Sequence, residues 1–199
     1  MAKNILMPAI ELIVIGGSAG SLDVILKQLP ALRDNLPVAI LLVLHRKAGS
    51  SNEDILVDLL STKTSWKVRE AEEKEMITQG TIYVAPADYH LLLESDQSFS
   101  LDVSEKVNYS RPSIDITLES AAEVYGARLL AILLSGANAD GAEGMQAVKT
   151  AGGLCVVQDP ASAEVGYMPQ QAIDQVMVDK IVPADHLAAF INELFPEQD

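Results

Sequence analysis

Residues 11–20 read Glu-Leu-Ile-Val-Ile-Gly-Gly-Ser-Ala-Gly. The apolar run from Leu12 to Ile15 predicts a buried parallel strand, and apolar residues at helical spacing between Leu22 and Leu29 predict a helix after it. Ser18 therefore falls in a strand-to-helix turn with glycine two residues away on either side, which is the spacing of a nucleophile elbow. The glycines permit a tight turn, and the start of the helix offers N–H groups where an oxyanion would form.

Three interpretations of this turn remain open on these residues alone. Ser18 could be a nucleophile, it could belong to an anion or phosphate site, or it could cap the helix. The dinucleotide fingerprint G-x-G-x-x-G is not matched, because Ser18 stands where the second glycine is needed. The sequence contains no G-x-x-x-x-G-K-[ST] motif either, so it is not a P-loop protein.

Composition predicts one well-buried domain over residues 1–199, since the chain is 49% hydrophobic and 21% charged. The only cysteine, Cys155, lies in an apolar run and is predicted to be a core residue, which fits a reducing compartment. The sequence has no recognisable signal peptide, and its apolar runs are too short to span a membrane. We therefore expect a soluble cytoplasmic protein without membrane insertion. The net charge of −14 disfavours nucleic-acid binding.

Apolar strands alternate with helical segments along the chain. This pattern predicts an α/β fold with a doubly wound, mostly parallel sheet flanked by helices. An antiparallel hairpin excursion is expected around residues 80–104, where Leu91–Leu93 and Phe99–Val103 are separated by a polar turn. The predicted strands cover residues 12–15, 38–44, 66–69, 81–85, 129–134 and 154–157, and the predicted helices cover residues 22–29, 52–60, 113–125, 141–150 and 184–194.

Ligands of such a sheet bind beyond the carboxyl ends of its strands, so the polar residues that follow each strand are the candidates. Ser18 follows the first strand, His45 the second, and the loop 135–141 follows the strand at 129–134. A serine, a histidine and an aspartate at one edge would suit acyl transfer. Asp140 and Asp159 compete for the acidic role, since each follows a buried strand.

The other histidines are weaker candidates. His90 is predicted to pack or to face solvent, and His186 to lie on or beside the apolar face of the last helix. The sequence has no H-E-x-x-H motif or Cys/His cluster that would indicate a metal site. The chain order Ser, His, Asp differs from the Ser, Asp, His order of α/β-hydrolases, so the elbow belongs to another arrangement.

Several short motifs occur in one order between about Ile13 and Val182, and together they resemble the catalytic domain of the chemotaxis protein-glutamate methylesterases (the CheB type). The motifs are Ile15-Gly-Gly-Ser-Ala-Gly20, His45 at the end of the second strand, Ile82-Tyr-Val-Ala-Pro86 with His90, Ser110-Arg-Pro-Ser-Ile-Asp115, Leu134-Ser-Gly136 with Asp140-Gly-Ala-Glu-Gly144, Val157-Gln-Asp159, and Gly166-Tyr-Met-Pro169 before a helix.

The resemblance implies that Ser18 is the nucleophile, His45 the general base and Asp140 its orienting partner. The backbone N–H groups of Ala19 and Ala137 would form the oxyanion hole. The resemblance implies a bacterial hydrolase that acts in chemotaxis. It would hydrolyse γ-glutamyl methyl esters on the cytoplasmic helices of methyl-accepting chemoreceptors, and it would be able to deamidate glutamines there. The resemblance implies no cofactor and no metal.

Two alternatives stand beside this interpretation. One is a catalytically silent scaffold or signalling-interaction module of the same fold, and the other is a hydrolase of a different ester. The first predicted strand begins about ten residues from Met1, which leaves no room for the receiver domain of phosphorylation-regulated members. We therefore expect a stand-alone catalytic domain, either constitutively active or controlled by a separate regulatory partner.

The charge of the chain suggests a further hypothesis about its substrate. A protein of net charge −14 would repel glutamate-rich receptor helices unless local cations offset its field. Arg46, Lys47 and Arg111 follow or flank the predicted site and are candidates for steering the substrate. The alternative is that Arg46 and Lys47 are solvated loop cations.

Overall fold

The computed structural model describes residues 9–46 and 53–196. Seven strands form one parallel sheet: β1 (Leu12–Gly17), β2 (Ala39–Leu44), β3 (Lys67–Glu70), β4 (Thr81–Val84), β7 (Leu129–Leu133), β8 (Leu154–Gln158) and β9 (Lys180–Val182). Their spatial order is β3-β4-β2-β1-β7-β8-β9. The strands β5 (His90–Leu93) and β6 (Phe99–Asp102) form a separate antiparallel pair.

Helices cover both faces of the sheet, and each face has its own apolar core. The helices are α1 (Ser21–Gln28), α2 (Glu53–Ser61), α3 (Ile114–Tyr125), α4 (Ala142–Thr150), α5 (Tyr167–Gln175) and α6 (Leu187–Glu193). One core contains residues of α3, α4, α5 and the hairpin, and the other contains residues of α1, α2 and α6. This arrangement confirms the predicted doubly wound sheet with an antiparallel excursion.

The two cores explain why the central strands are uninterrupted apolar runs. In β1, Leu12 and Val14 belong to the core under α3, whereas Ile13 and Ile15 belong to the opposite one. A strand buried on both faces needs an apolar residue at every position, not at alternate ones. Cys155 on β8 is fully buried as predicted, and burial raises the pKa of its thiol to about 12.

The order in which the strands are added to the sheet reverses at β1. This strand pairs with β2 on one side and with β7 on the other. The carboxyl ends of these three strands therefore meet at the switch point, where open α/β sheets bind their ligands. Within residues 9–46 and 53–196, no helix is long and apolar enough to cross a membrane.

Candidate active site

Ser18 lies in the turn between β1 and α1, and its backbone N–H donates to Ser135 O at 2.9 Å. The N-cap residue of α1 is Gly20, which has a left-handed φ of 79° and no side-chain capping bond. Ser18 therefore does not cap the helix. Among the described residues, its hydroxyl has no hydrogen-bond partner, and it faces a cleft.

The glycines around Ser18 are required by close packing as well as by conformation. A Cβ added to Gly16 would lie 2.6 Å from Cγ2 of Ile114, the first residue of α3. A Cβ on Gly20 would lie 2.6 Å from Cβ of Glu164, in addition to the positive φ there. The elbow spacing thus lets the turn approach both α3 and the loop before α5.

His45 follows β2 and is placed by a backbone bond from its N–H to Gly17 O at 3.1 Å. Its ring is 10% exposed, and Nε2 lies 2.7 Å from Oδ2 of Asp140. A carboxylate only accepts hydrogen bonds, so we assign the proton to Nε2 and the lone pair to Nδ1. Nδ1 lies 3.2 Å from Ser110 Oγ, and the ring therefore accepts a hydrogen bond from that hydroxyl.

Asp140 is fully buried at the N-terminus of α3. Its carboxylate accepts hydrogen bonds from Ile114 N at 2.7 Å, Ser113 Oγ at 2.8 Å and Asp115 N at 3.1 Å, besides the one from His45. Burial opposes ionisation, but the bonds from His45 and from the backbone outweigh it and lower the pKa of Asp140 below its usual value. The positive end of the helix also favours the charge.

A second buried carboxyl lies beside the first. Asp115 Oδ1 accepts hydrogen bonds from Gly141 N and Gly144 N, both at 2.8 Å. Burial, partly offset by the Gly144 bond and reinforced by the neighbouring Asp140 carboxylate, raises the pKa of Asp115 to about 7. The negative charge of the pair therefore resides on Asp140, the carboxyl that contacts His45.

Ser18 and His45 open onto one cleft of about 720 Å³ at the carboxyl edge of the sheet. The other residues that line it are Arg46, Asp88, Lys106, Tyr109, Ser110, Arg111 and Asn138. A Cβ on Gly136 would lie 3.0 Å from Ser18 Cβ, so the loop after β7 runs directly beside the hydroxyl. Within the described ranges, the N–H groups of Ala19 and Ala137 have no hydrogen-bond acceptor, which leaves them free to bind an oxyanion.

The steering candidates differ in their placement. Arg46 lines the cleft, but it donates to Ala85 O at 2.6 Å and lies 3.3 Å from Glu70 Oε2, so it is not a freely solvated cation. Arg111 also lines the cleft and is paired with Asp88 at 2.9 Å. Lys47 lies outside the described residues.

The remaining sequence candidates lie elsewhere. Asp159 caps a short 3₁₀ turn by accepting from Ala161 N at 2.9 Å and does not line the cleft. His90 is buried, with Nδ1 accepting from Ser113 N at 3.1 Å and Nε2 donating to Glu105 O at 2.9 Å. His186 is exposed and precedes α6, so its predicted place on or beside the apolar face of that helix is wrong.

Sequence reasoning did not single out Lys106, Tyr109, Ser110 or Asp115. Ser110 and Asp115 belong to a motif quoted for the resemblance, but no spacing rule gave either of them a role. In the part of the chain that the structure describes, no group of three or more His, Cys, Asp or Glu side chains could hold a metal ion.

The comparison with protein-family models gives one match, which extends over most of the chain. The model of the CheB methylesterase family matches residues 13–191, which include all the residues that line the cleft. The chain belongs to the CheB methylesterase family. This confirms the resemblance found in the sequence and assigns the protein to a family of carboxylic ester hydrolases.

Relatives of known name agree with this assignment. A Leptospira interrogans protein named protein-glutamate methylesterase/protein-glutamine glutaminase is 44% identical over 184 residues, covering 92% of this chain and 94% of the relative. A Thermotoga maritima protein of the same name is 35% identical, and the match covers 96% of this chain but 56% of that protein. The crystal structure of the Thermotoga maritima CheB methylesterase catalytic domain superposes with a TM-score of 0.87 at 33% identity, covering 94% of this chain and 99% of that one.

Proposed function

We propose that this CheB-family protein hydrolyses γ-glutamyl methyl esters on the cytoplasmic helices of chemoreceptors, with Ser18 as nucleophile. The observation that supports this most directly is the 2.7 Å contact between His45 Nε2 and the buried Asp140, in a cleft that also contains Ser18. The names of the relatives supply the class of substrate. The proposal places enzyme and substrate together in the cytoplasm.

In the proposed mechanism, Ser18 Oγ attacks the ester carbonyl while its proton passes to His45 Nδ1. Asp140 holds the ring by Nε2 and stabilises the imidazolium that forms. The oxyanion of the tetrahedral intermediate accepts hydrogen bonds from the free N–H groups of Ala19 and Ala137. His45 then gives its proton to the methoxy oxygen, the carbon–oxygen bond breaks, and methanol leaves an acyl-Ser18 ester.

The second half repeats these steps with water. His45 Nδ1 takes a proton from the attacking water, the carbonyl again becomes an oxyanion, and the proton is returned to Ser18 Oγ as the acyl bond breaks. The products are a glutamate side chain and free enzyme. A glutamine substrate would follow the same path with ammonia as leaving group, which accounts for the glutaminase activity in the relatives' names.

The proposed mechanism requires one local change. His45 Nδ1 is bonded to Ser110 Oγ, and Ser18 Oγ has no partner among the described residues. In the complex, Ser18 Oγ must replace Ser110 Oγ as the partner of Nδ1, since bonds between catalytic groups are often long in the free enzyme and tighten when substrate binds.

The test is methanol release from a methylated chemoreceptor cytoplasmic fragment, with wild-type protein beside Ser18→Ala. Ser95→Ala is the matched control, because Ser95 is exposed in the hairpin turn and away from the cleft. We expect release by wild type and Ser95→Ala and none above background by Ser18→Ala. Labelling of Ser18 by a serine-directed phosphonate without methanol release would indicate a hydrolase of another ester, and neither reaction would indicate a scaffold.

A further inference from the structure

A strained turn borders the cleft. Residues 106–110, here named the rim turn, contain a two-residue hairpin in which Val107 and Ser110 exchange both backbone hydrogen bonds, at 3.2 and 2.9 Å. Its central residues, Asn108 and Tyr109, have positive φ values of 49° and 63°. Asparagine tolerates this conformation, but for a tyrosine it is a strained one.

The rim turn is held in place from beneath. The Asn108 side chain donates to Oδ2 of the buried Asp115 at 3.0 Å, and Asn138 Nδ2 donates to Asn108 O at 3.3 Å. Ser110 Oγ bonds to the ring of His45. The turn is therefore fixed relative to the same α3 N-terminus that binds Asp140, and its position follows that of the site.

The side chain of Tyr109, at the tip of the rim turn, does not pack against the core. Tyr109 is 97% exposed, although it lines the same cleft as Ser18. An aromatic ring gains free energy when it is covered, and here an anchored and strained backbone keeps it uncovered. A contact with a bound ligand would account for both features.

The charge of the cleft is opposite to that of the protein. Three of its nine lining residues are basic (Arg46, Lys106 and Arg111) and one, Asp88, is acidic, whereas the chain has 28 acidic and 14 basic residues. The two arginines are bonded to carboxylates and carbonyls. Lys106 is exposed and has no hydrogen bond or ion pair within residues 9–46 and 53–196, so its ammonium group is available to an incoming carboxylate.

We propose that the rim turn docks the protein substrate, with Tyr109 packing on the apolar side of an acidic helix and Lys106 pairing with a carboxylate beside the scissile ester. This inference rests on the proposed function and adds the surface that selects a protein over a small ester. The positive cleft draws in an acidic segment, and the exposed ring supplies the buried contact that holds it.

Binding measured without turnover tests the proposal. In the Ser18→Ala background, affinity for the methylated receptor fragment is measured for Lys106→Gln, Tyr109→Ala and Tyr109→Gly, the last of which removes the ring while relieving the positive φ. We expect each to raise Kd roughly tenfold, with the Lys106→Gln effect shrinking at high salt. Lys63→Gln and Met177→Ala are the matched controls. Both residues are exposed and lie before the amino ends of β3 and β9, whereas the cleft lies at the carboxyl ends of the strands.

Turnover separates this proposal from the proposed function. In the Ser18-containing enzyme, the ratio of kcat/KM for the receptor fragment to kcat/KM for p-nitrophenyl acetate should fall roughly tenfold in each rim variant. Ser18-dependent methanol release with unchanged Kd in all three variants would overturn the docking role and leave the esterase intact. Absence of methanol release, with Kd still dependent on Lys106 and Tyr109, would overturn the esterase and leave the docking surface.

Discussion

Replacing Asp115 by asparagine should change how the stability of the protein depends on pH. The amide keeps the size of the side chain, and its oxygen can still accept from Gly141 N and Gly144 N. Its NH₂ group would take the place of the oxygen that now accepts from Asn108 Nδ2, and Asn108 can turn its own amide oxygen toward it. The substitution thus removes one titrating proton with little change in packing.

The magnitude follows from the pKa of about 7 in the folded protein against the ordinary value of 3.8. Between these values the unfolded chain loses the proton and the folded protein keeps it, so the free energy of unfolding falls as pH rises. Each pKa unit corresponds to 1.36 kcal/mol, which gives a loss of up to about 4 kcal/mol from pH 4 to pH 7 and none beyond. Asp115→Asn should not show this loss. The lowered pKa of Asp140 acts with the opposite sign, since its stabilisation is present above pH 3.8 and is lost as pH falls below that value.

The assay is urea unfolding at several pH values from 4.5 to 8, followed by the fluorescence of Trp66, which is buried and is the only tryptophan. The measured quantity is the difference in unfolding free energy between Asp115→Asn and wild type. The unfolding free energy of the variant minus that of wild type should increase as pH rises to 7 and stay constant above pH 7. Asp58→Asn, an exposed position on α2, is the matched control and should follow wild type. Parallel pH curves for wild type and Asp115→Asn would refute a buried protonated Asp115.

Three other substitutions test the site and its support. Asp140→Asn leaves one oxygen for four donors, so we expect kcat for methanol release to fall roughly 10³–10⁴-fold; a loss below tenfold would contradict the role of Asp140. Ser110→Ala frees His45 Nδ1 from a bond of about 1 kcal/mol, so phosphonate labelling of Ser18 should become about fivefold faster; an unchanged or slower rate would show that Ser110 does not compete with Ser18. Gly144→Ala would place a Cβ 2.6 Å from Leu118 Cβ and 3.0 Å from Asp115 Cα. Overpacking of about 1–3 kcal/mol should exceed the gain of about 1 kcal/mol in helix propensity, and an unchanged urea midpoint would contradict this.

The sequence predicted the centre of the sheet better than its edge. Strands β1, β2 and β7 are buried on both faces, so their apolar runs could be recognised without knowledge of their neighbours. Strand β9 was not predicted, because two of its three residues are exposed at the sheet edge and it has no apolar run. Its existence depends on pairing with β8, which local patterning does not encode.

The residues of the candidate site also fall into a group that the sequence predicted and a group that it did not. Ser18, His45 and Asp140 each follow a central strand at the carboxyl edge, so their placement follows from the strand assignments. Lys106, Tyr109 and Ser110 come from the connection between β6 and α3. Its path over the cleft depends on bonds to residues far away in the sequence, from Asn138 to Asn108 O and between Ser110 and His45. The chain pattern could not predict that path, and it also gave no sign that Arg46 and Arg111 would be paired.

The identity of the charged carboxyl could not be read from the sequence either, and it decides what His45 can do. Asp115 and Asp140 both reach the N-terminus of α3, and two adjacent buried carboxylates cannot both ionise without a large penalty. Asp140 holds the charge because it accepts four hydrogen bonds, one of them from His45, which lies 95 positions away and just after β2. Had Asp115 been the ionised member, Asp140 would carry a proton, and its oxygen would orient the ring without stabilising an imidazolium. Because Asp140 is already ionised, loss of the Asp115 proton as pH rises through about 7 should leave the contact between His45 and Asp140 in place.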